Sequence, residues 1–256
     1  MEHKICVVPA MPLRAEPSHR SEMTSQLIFG ECGVVLEHSE GGWVKLRNQY
    51  DQYEGWAMGN QLTEIEEELY YEPTEEYTGE LLTPANVSGH PMNISLGSFL
   101  KGMRHGEMHW GKVTVIYKGT PLKPDHLPIT EKMIRQFAFQ YLNTPYLWGG
   151  RSIFGVDCSG FTQSVYRLLG KMLPRDAHMQ ARCGEELERG KKPHCGDLAF
   201  FKNAEGKVTH VGMMLNDFEI IHASGKVRVD KLDDYGILHA DTGEHTHQLD
   251  RIRRFF

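Results

Sequence analysis

Over the first sixty or so residues, apolar and polar positions alternate in short runs. Ile5-Cys6-Val7-Val8 is apolar and β-branched, and Gly33-Val34-Val35-Leu36-Glu37 is a second strand candidate. Gly42-Trp43-Val44-Lys45-Leu46 alternates with period two, and Glu54-Gly55-Trp56-Ala57 follows a polar turn. Short strands at this density predict a small β-barrel over residues 1–62. Residues 63–76 are acidic, contain Pro73 and read as a solvated linker. Residues 78–125 return to short apolar runs: Leu81-Leu82, Gly97-Ser98-Phe99-Leu100 and Val113-Thr114-Val115-Ile116-Tyr117, interrupted by Gly, Pro and His. They predict a second small barrel.

From residue 129 the period changes. Met133, Phe137 and Tyr141 recur every fourth position behind Thr130, which can cap a helix. A second helix is expected from about Asp157 to Gly170, with Phe161, Val165, Leu168 and Leu169 on one face. After residue 195 the pattern is of strands. Helices followed by strands predict an α+β domain over 129–256.

Composition narrows the functional classes. A net charge of −6 with no long basic run argues against nucleic-acid binding. No apolar run is long enough to span a membrane, and Met1-Glu2-His3-Lys4-Ile5 does not open a signal peptide. The five cysteines, Cys6, Cys32, Cys158, Cys183 and Cys195, are odd in number and irregularly spaced. Reduced thiols in a cytoplasmic location are therefore expected.

The candidate chemistry lies around Cys158. Asp157 can cap a helix whose first turn carries this cysteine, where the helix dipole and free N–H groups favour a thiolate. The small residues Ser159 and Gly160 admit a substrate backbone, and Asp157 and Ser159 are counted with the substrate-contacting residues. A thiol nucleophile needs a base. Lys207 to Leu215 and Phe218 to Gly225 read as a hairpin, and a three-residue loop centred near Asn216 would put His222 directly opposite His210. One imidazole could then take the thiol proton while the other fixes its tautomer. His239, His245 and His247 lack a ligand spacing and read as a solvated loop, so no metal and no cofactor are expected.

At these residues the sequence resembles the NlpC-type, papain-like cysteine peptidases that cleave bacterial wall peptides. The anchors are Pro145-Tyr146-Leu147-Trp148-Gly149-Gly150, Asp157-Cys158-Ser159-Gly160-Phe161, Leu173-Pro174-Arg175-Asp176-Ala177, Gly196-Asp197-Leu198-Ala199-Phe200-Phe201, Thr209-His210-Val211-Gly212 and Ile221-His222-Ala223. The resemblance implies Cys158 as nucleophile, His210 as base, His222 as the orienting third residue and Tyr146 as a hydroxyl beside the oxyanion. Cys195 stands where the family often has Pro, with no catalytic consequence expected. Gly42-Trp43-Val44-Lys45-Leu46 and Tyr53-Glu54-Gly55-Trp56 resemble bacterial SH3-like domains. Two such barrels ahead of the peptidase domain look like the γ-D-glutamyl-L-diamino acid endopeptidases, also called dipeptidyl-peptidase VI. These recycle murein peptides and release L-Ala-γ-D-Glu from stems with a free N-terminal L-Ala. The resemblance implies that Asp176 binds the substrate amine, with Tyr53 and an acidic residue of the first barrel. Glu22 is the choice for the latter and Glu16 the runner-up. The expected substrate is a murein peptide whose third residue is meso-diaminopimelate or L-Lys. The rival readings are a broad endopeptidase acting on intact murein and a catalytically inactive wall-binding protein.

Overall fold

The structure is a computed structural model that describes every residue except 189. The chain forms two compact units: Met1–Leu127 with Trp148–Ile153, and Pro128–Leu147 with Phe154–Phe256.

The first unit begins with a seven-stranded antiparallel sheet. Its order is Met23–Ile28, Ala10–Arg14, Glu54–Met58, Trp43–Asn48, Cys32–Ser39, His3–Cys6 and Leu62–Glu64. In Trp43–Asn48 the period-two pattern buries Trp43, Val44, Leu46 and Asn48, and leaves Arg47 outward against Glu54 at 2.8 Å. Ala10–Arg14 forms despite Pro12. It pairs fully with Met23–Ile28 on one side and meets Glu54–Met58 only at Arg14, so the missing proline N–H leaves no gap in a ladder. A second, four-stranded sheet runs His90–Ser95, Leu82–Val87, Val113–Tyr117, Glu107–Trp110. Gly97-Ser98-Phe99-Leu100 is not a regular strand. It is a turn that buries Phe99 and Leu100 and bridges Tyr77.

The acidic stretch expected to be a linker is packed structure. It holds the helix Glu67–Tyr71, and Ile65 and Tyr70 are buried. One apolar cluster joins Ile5, Phe29, Cys32, Ile65 and Tyr70 to Ala85, Ile94, Met108, Trp110 and Val115. Tyr70 stacks on His3 with centroids 4.2 Å apart, and its carbonyl accepts from Lys101 Nζ at 3.0 Å. Composition concealed this because the glutamates face water while Ile65, Leu69 and Tyr70 supply a narrow apolar face.

Segment Trp148–Ile153 belongs to the same unit. Arg151 is fully buried, and its two terminal nitrogens donate to the two Glu31 carboxylate oxygens at 2.9 Å each and to the Gln26 carbonyl at 2.6 Å. Gly149 has φ +77°, and a Cβ there would lie 2.4 Å from the Met23 carbonyl oxygen, so only glycine fits.

The second unit opens with helix Glu131–Gln140, whose Thr130 cap accepts from the Met133 N–H at 3.3 Å. Ile134, Phe137 and Ala138 form its buried face, while Met133 is half-buried. Helix Cys158–Leu168 follows. It is buried on every side rather than along one face. The sheet order is Glu185–Glu186, His245–Arg254, Leu198–Lys202, Val208–Met214, Glu219–Ser224, Lys226–Leu232 and Gly236–Leu238. Gly236–Leu238 pairs back onto His245–Arg254, which closes six strands into a barrel. Ala199, Phe201, Met214, Ile220, Leu232 and Ile237 cluster as an apolar core. The Cys158 helix packs against Val208–Met214 and Glu219–Ser224, which brings its N-terminal turn beside the strands that carry the two histidines.

Candidate active site

Cys158 is the first residue of its helix. Asp157 caps it, with Oδ1 accepting from the Gly160 N–H at 2.7 Å. Asp157 and Ser159, expected against substrate, are both buried and turned toward Arg175. Arg175 donates to the two Asp157 oxygens at 3.0 and 2.6 Å and to the Ser159 hydroxyl at 3.0 Å. These side chains frame the helix start. Gln180 extends the frame, donating to the Ser159 carbonyl at 3.1 Å and the Pro174 carbonyl at 2.8 Å. A buried Asp cap needs a cation, and Arg175 was legible in Leu173-Pro174-Arg175-Asp176-Ala177 as the one arginine next to the motif.

The Cys158 Sγ lies 4.0 Å from the Thr209 carbonyl oxygen, next to His210 in sequence. His210 and His222 are both buried, and His210 Nε2 is 2.9 Å from His222 Nδ1. They are not directly opposite. The register pairs His222 with Gly212, which puts His210 on the diagonal of the same face. The reason is the loop. Leu215 N–H donates to Glu219 O at 2.8 Å, and the Asn216 side chain accepts from the N–H groups of Phe218 and Glu219 at 2.9 and 2.8 Å. The turn is therefore centred on Asp217, one residue beyond the expected position, which moves the register by two and preserves the face.

The sequence reading missed Asp230. It lies buried on Lys226–Leu232, with Oδ2 2.9 Å from His222 Nε2, and Arg228 and the Ala240 N–H also reach its carboxylate. Burial alone would raise Asp230, but hydrogen bonds from His222, Arg228 and Ala240 hold it well below the usual carboxylate range. It is an anion and can only accept. His222 Nε2–H therefore donates to Asp230, His222 Nδ1 accepts from His210 Nε2–H, and the lone pair of His210 is left on Nδ1. No sequence signal marked Asp230: the alternation of Val227 and Val229 puts it with Arg228 on the polar side of the strand.

Burial pushes the Cys158 thiol up to about 12, the Asp157 charge adds to this, and the Val211 N–H and Arg175 oppose it. Burial, then His222 and His247, hold His210 well below its ordinary value. Both shifts favour the neutral thiol and the neutral imidazole, against the thiolate that the helix start alone would favour. Burial, then the Cys158 charge, raise Tyr146 to about 12, so its hydroxyl is a protonated donor.

Asp176 is half-buried at the start of the short helix Ala177–Gln180, and its carboxylate does not cap that helix. In the first unit, Glu22 is exposed and accepts from the Trp148 indole N–H at 2.6 Å. Tyr53 is half-buried, with its N–H bonded to Asp51 Oδ1 at 3.1 Å. Trp148 was quoted in the sequence as an anchor without a partner. His247 is not in a solvated loop: it lies on strand His245–Arg254 with its ring on that of His210. His245 pairs with Asp233 at 2.8 Å. Cys183 and Cys195 are half-buried free thiols.

A capped cysteine at a buried helix start, beside hydrogen-bonded histidines on two paired strands, is the arrangement that a thiol hydrolase of papain-like fold requires. The sequence matches the NlpC/P60 family over residues 143–244 and the bacterial dipeptidyl-peptidase SH3 domain over residues 13–62. It is 29% identical over 242 residues to a γ-D-glutamyl-L-lysine dipeptidyl-peptidase of Bacillus cereus, covering 80% of this chain and 68% of that one. It is 26% identical over 247 residues to dipeptidyl-peptidase 6 of Lysinibacillus sphaericus, covering 87% and 89%. The fold matches the crystal structure of an NlpC/P60 family protein from Bacillus cereus with a TM-score of 0.81 at 21% identity, over 98% of this chain and 99% of that one. The chain carries an NlpC/P60 peptidase domain preceded by a bacterial dipeptidyl-peptidase SH3 domain.

Proposed function

We propose that the protein hydrolyses the bond between γ-D-Glu and the diamino acid in murein stem peptides that carry a free N-terminal L-Ala, in a cytoplasmic recycling role. The observation that carries this reading is the capped Cys158 beside the His210–His222–Asp230 relay, in a chain similar over most of its length to a γ-D-glutamyl-L-lysine dipeptidyl-peptidase and to dipeptidyl-peptidase 6. We read residues 78–125 as a second SH3-like barrel.

Cys158 Sγ attacks the γ-carbonyl carbon as His210 Nδ1 takes the thiol proton. Because the neutral thiol and imidazole are favoured, transfer accompanies attack. The Tyr146 hydroxyl donates to the oxyanion. The C–N bond breaks, and the His210 proton passes to the leaving amine, giving a thioester. Water then gives its proton to His210 and attacks the thioester carbon, and the thiolate leaves by taking that proton back. Every step uses side chains of the chain itself.

Asp230→Asn should lower kcat by about 10⁴-fold with little change in KM, because an amide can donate to His222 and reverse the tautomers that leave the His210 lone pair on Nδ1. His222→Asn, which keeps a hydrogen-bonding group, should be milder than His222→Ala. Steady-state kinetics of the three variants check this, and wild-type kcat for Asp230→Asn would remove the relay from the mechanism.

The reading of the amine rests on Asp176. Removing one partner of a hydrogen-bonded charge pair that bound substrate would bury costs about 2–5 kcal/mol. L-Ala-γ-D-Glu-diaminopimelate should therefore be cleaved with a kcat/KM larger by that amount than its N-acetylated form, and Asp176→Asn should erase most of the difference. Equal kcat/KM for the two peptides would assign a general wall endopeptidase instead.

A further inference from the structure

The ring that packs on the base takes no part in the relay. His247 lies on His245–Arg254, which is separated in the sheet from the His210 strand by Leu198–Lys202. Its imidazole nevertheless lies on that of His210, with centroids 4.1 Å apart and planes at 27°. Phe201, directly across from His210 in the register, sets its ring 5.7 Å from His210 and 5.9 Å from His247. His222 stands edge-on to both, at 5.1 and 5.9 Å. The Nδ1 of His247 is 2.9 Å from the Thr246 hydroxyl, and among the described residues no hydrogen bond joins His247 to His210 or His222. The contact with the base is face-to-face packing.

We propose that His247 is a positioning residue for the general base: its ring caps the face of the His210 imidazole, fixes the plane from which Nδ1 takes the thiol proton, and keeps water off a ring that must be neutral to accept one. The proposal rests on the reading of His210 as the base. A ring held on one face by a second aromatic ring, on its flank by Phe201 and at Nε2 by His222 has no freedom to tip away from the thiol. The titratable and charged groups facing His247 are His210, His222 and Asp230, with Arg228 bound to Asp230; Phe201 and Ile237, the cross-strand partner of His247, carry no charge. Burial, then the His222 charge, bring His247 down to about 4. Both shifts favour neutral stacked rings, and charge on His247 disfavours a proton on His210.

The working form of His210 is unprotonated, and its folded-state pKa lies below the ordinary 6.5. The acid limb of kcat/KM should therefore fall below pH 6.5. Opening the capped face to water restores solvation of the imidazolium, raises the pKa and moves the limb up.

The test measures peptide hydrolysis and, in parallel, alkylation of Cys158 by iodoacetamide against pH, which needs no peptide. The variants are His247→Ala, His247→Phe, His247→Leu and His210→Ala. His247→Ala should lower kcat roughly tenfold at nearly constant KM and move the acid limb up by about one pH unit, in hydrolysis and alkylation alike. His247→Phe, which keeps the ring, should return both to within about twofold of wild type. His247→Leu, which fills the volume without a planar ring, should behave as His247→Ala does and serves as the test if the alanine variant does not fold. A lowered melting temperature with wild-type kcat and an unmoved acid limb in both the alanine and leucine variants would overturn the proposal and leave His247 a packing residue. Alkylation that is the same in wild type and His210→Ala would overturn the base assignment itself, and the proposal with it.

Discussion

Replacing Cys158 with Ala is expected to leave a folded protein with no measurable hydrolysis. The side chain contributes little to the frame around it. Asp157 caps through its own carboxylate, Arg175 and Gln180 bind Asp157, Ser159 and Pro174, and none of these bonds involves the sulfur. The thermal transition should therefore change little. The loss of turnover should be roughly 10⁶-fold in kcat, and His210→Ala should come close to it, because a nucleophile and its base fail as a unit. The double variant should be no worse than either single one. Kinetics together with a melting curve on each variant check this. Turnover by a well-folded Cys158→Ala protein would remove the nucleophile.

The second large effect is on stability. Arg151→Ala should destabilise the first unit by about 3–5 kcal/mol, because it leaves the buried Glu31 carboxylate without its bidentate partner. Arg151 also donates to the Gln26 carbonyl and lies 3.8 Å from Asp51, so one truncation strands several buried acceptors. The double variant Arg151→Met with Glu31→Leu should recover part of the loss by removing the stranded charge with the cation. Chemical denaturation should show a lower midpoint for Arg151→Ala and a partial return for the double variant. An unchanged midpoint for Arg151→Ala would show that the pair adds nothing.

Much of this arrangement was legible before any coordinates. The Asp157 cap and the Cys158 helix start follow from residue type and position, and both histidines could be placed on one face of one hairpin. What escaped the reading depends on detail that periodicity does not carry. The hairpin register turned on whether the Asn216 side chain opened the loop or sat at its centre, a matter of two side-chain hydrogen bonds. Asp230 and His247 lie 8 and 25 residues beyond His222 in the chain, and their approach depends on the pairing of Lys226–Leu232 with Glu219–Ser224 and of His245–Arg254 with Leu198–Lys202, which periodicity does not specify. Asp157 and Ser159 were read as substrate contacts because they flank the thiol; their burial against Arg175 is a tertiary fact. The acidic linker concealed a core segment because three apolar residues were outvoted by their glutamate neighbours.

The central claim is that Cys158 carries the L-Ala-γ-D-Glu acyl group during turnover. Acid quenching of the enzyme under saturating L-Ala-γ-D-Glu-diaminopimelate, followed by intact-protein and peptide mass spectrometry, tests it most directly. A thioester adduct of the L-Ala-γ-D-Glu acyl group is expected on the peptide that contains Cys158, hydroxylamine-labile and absent from Cys158→Ala. An adduct on Cys183, Cys195 or any other residue, in an enzyme that is turning over, would contradict it.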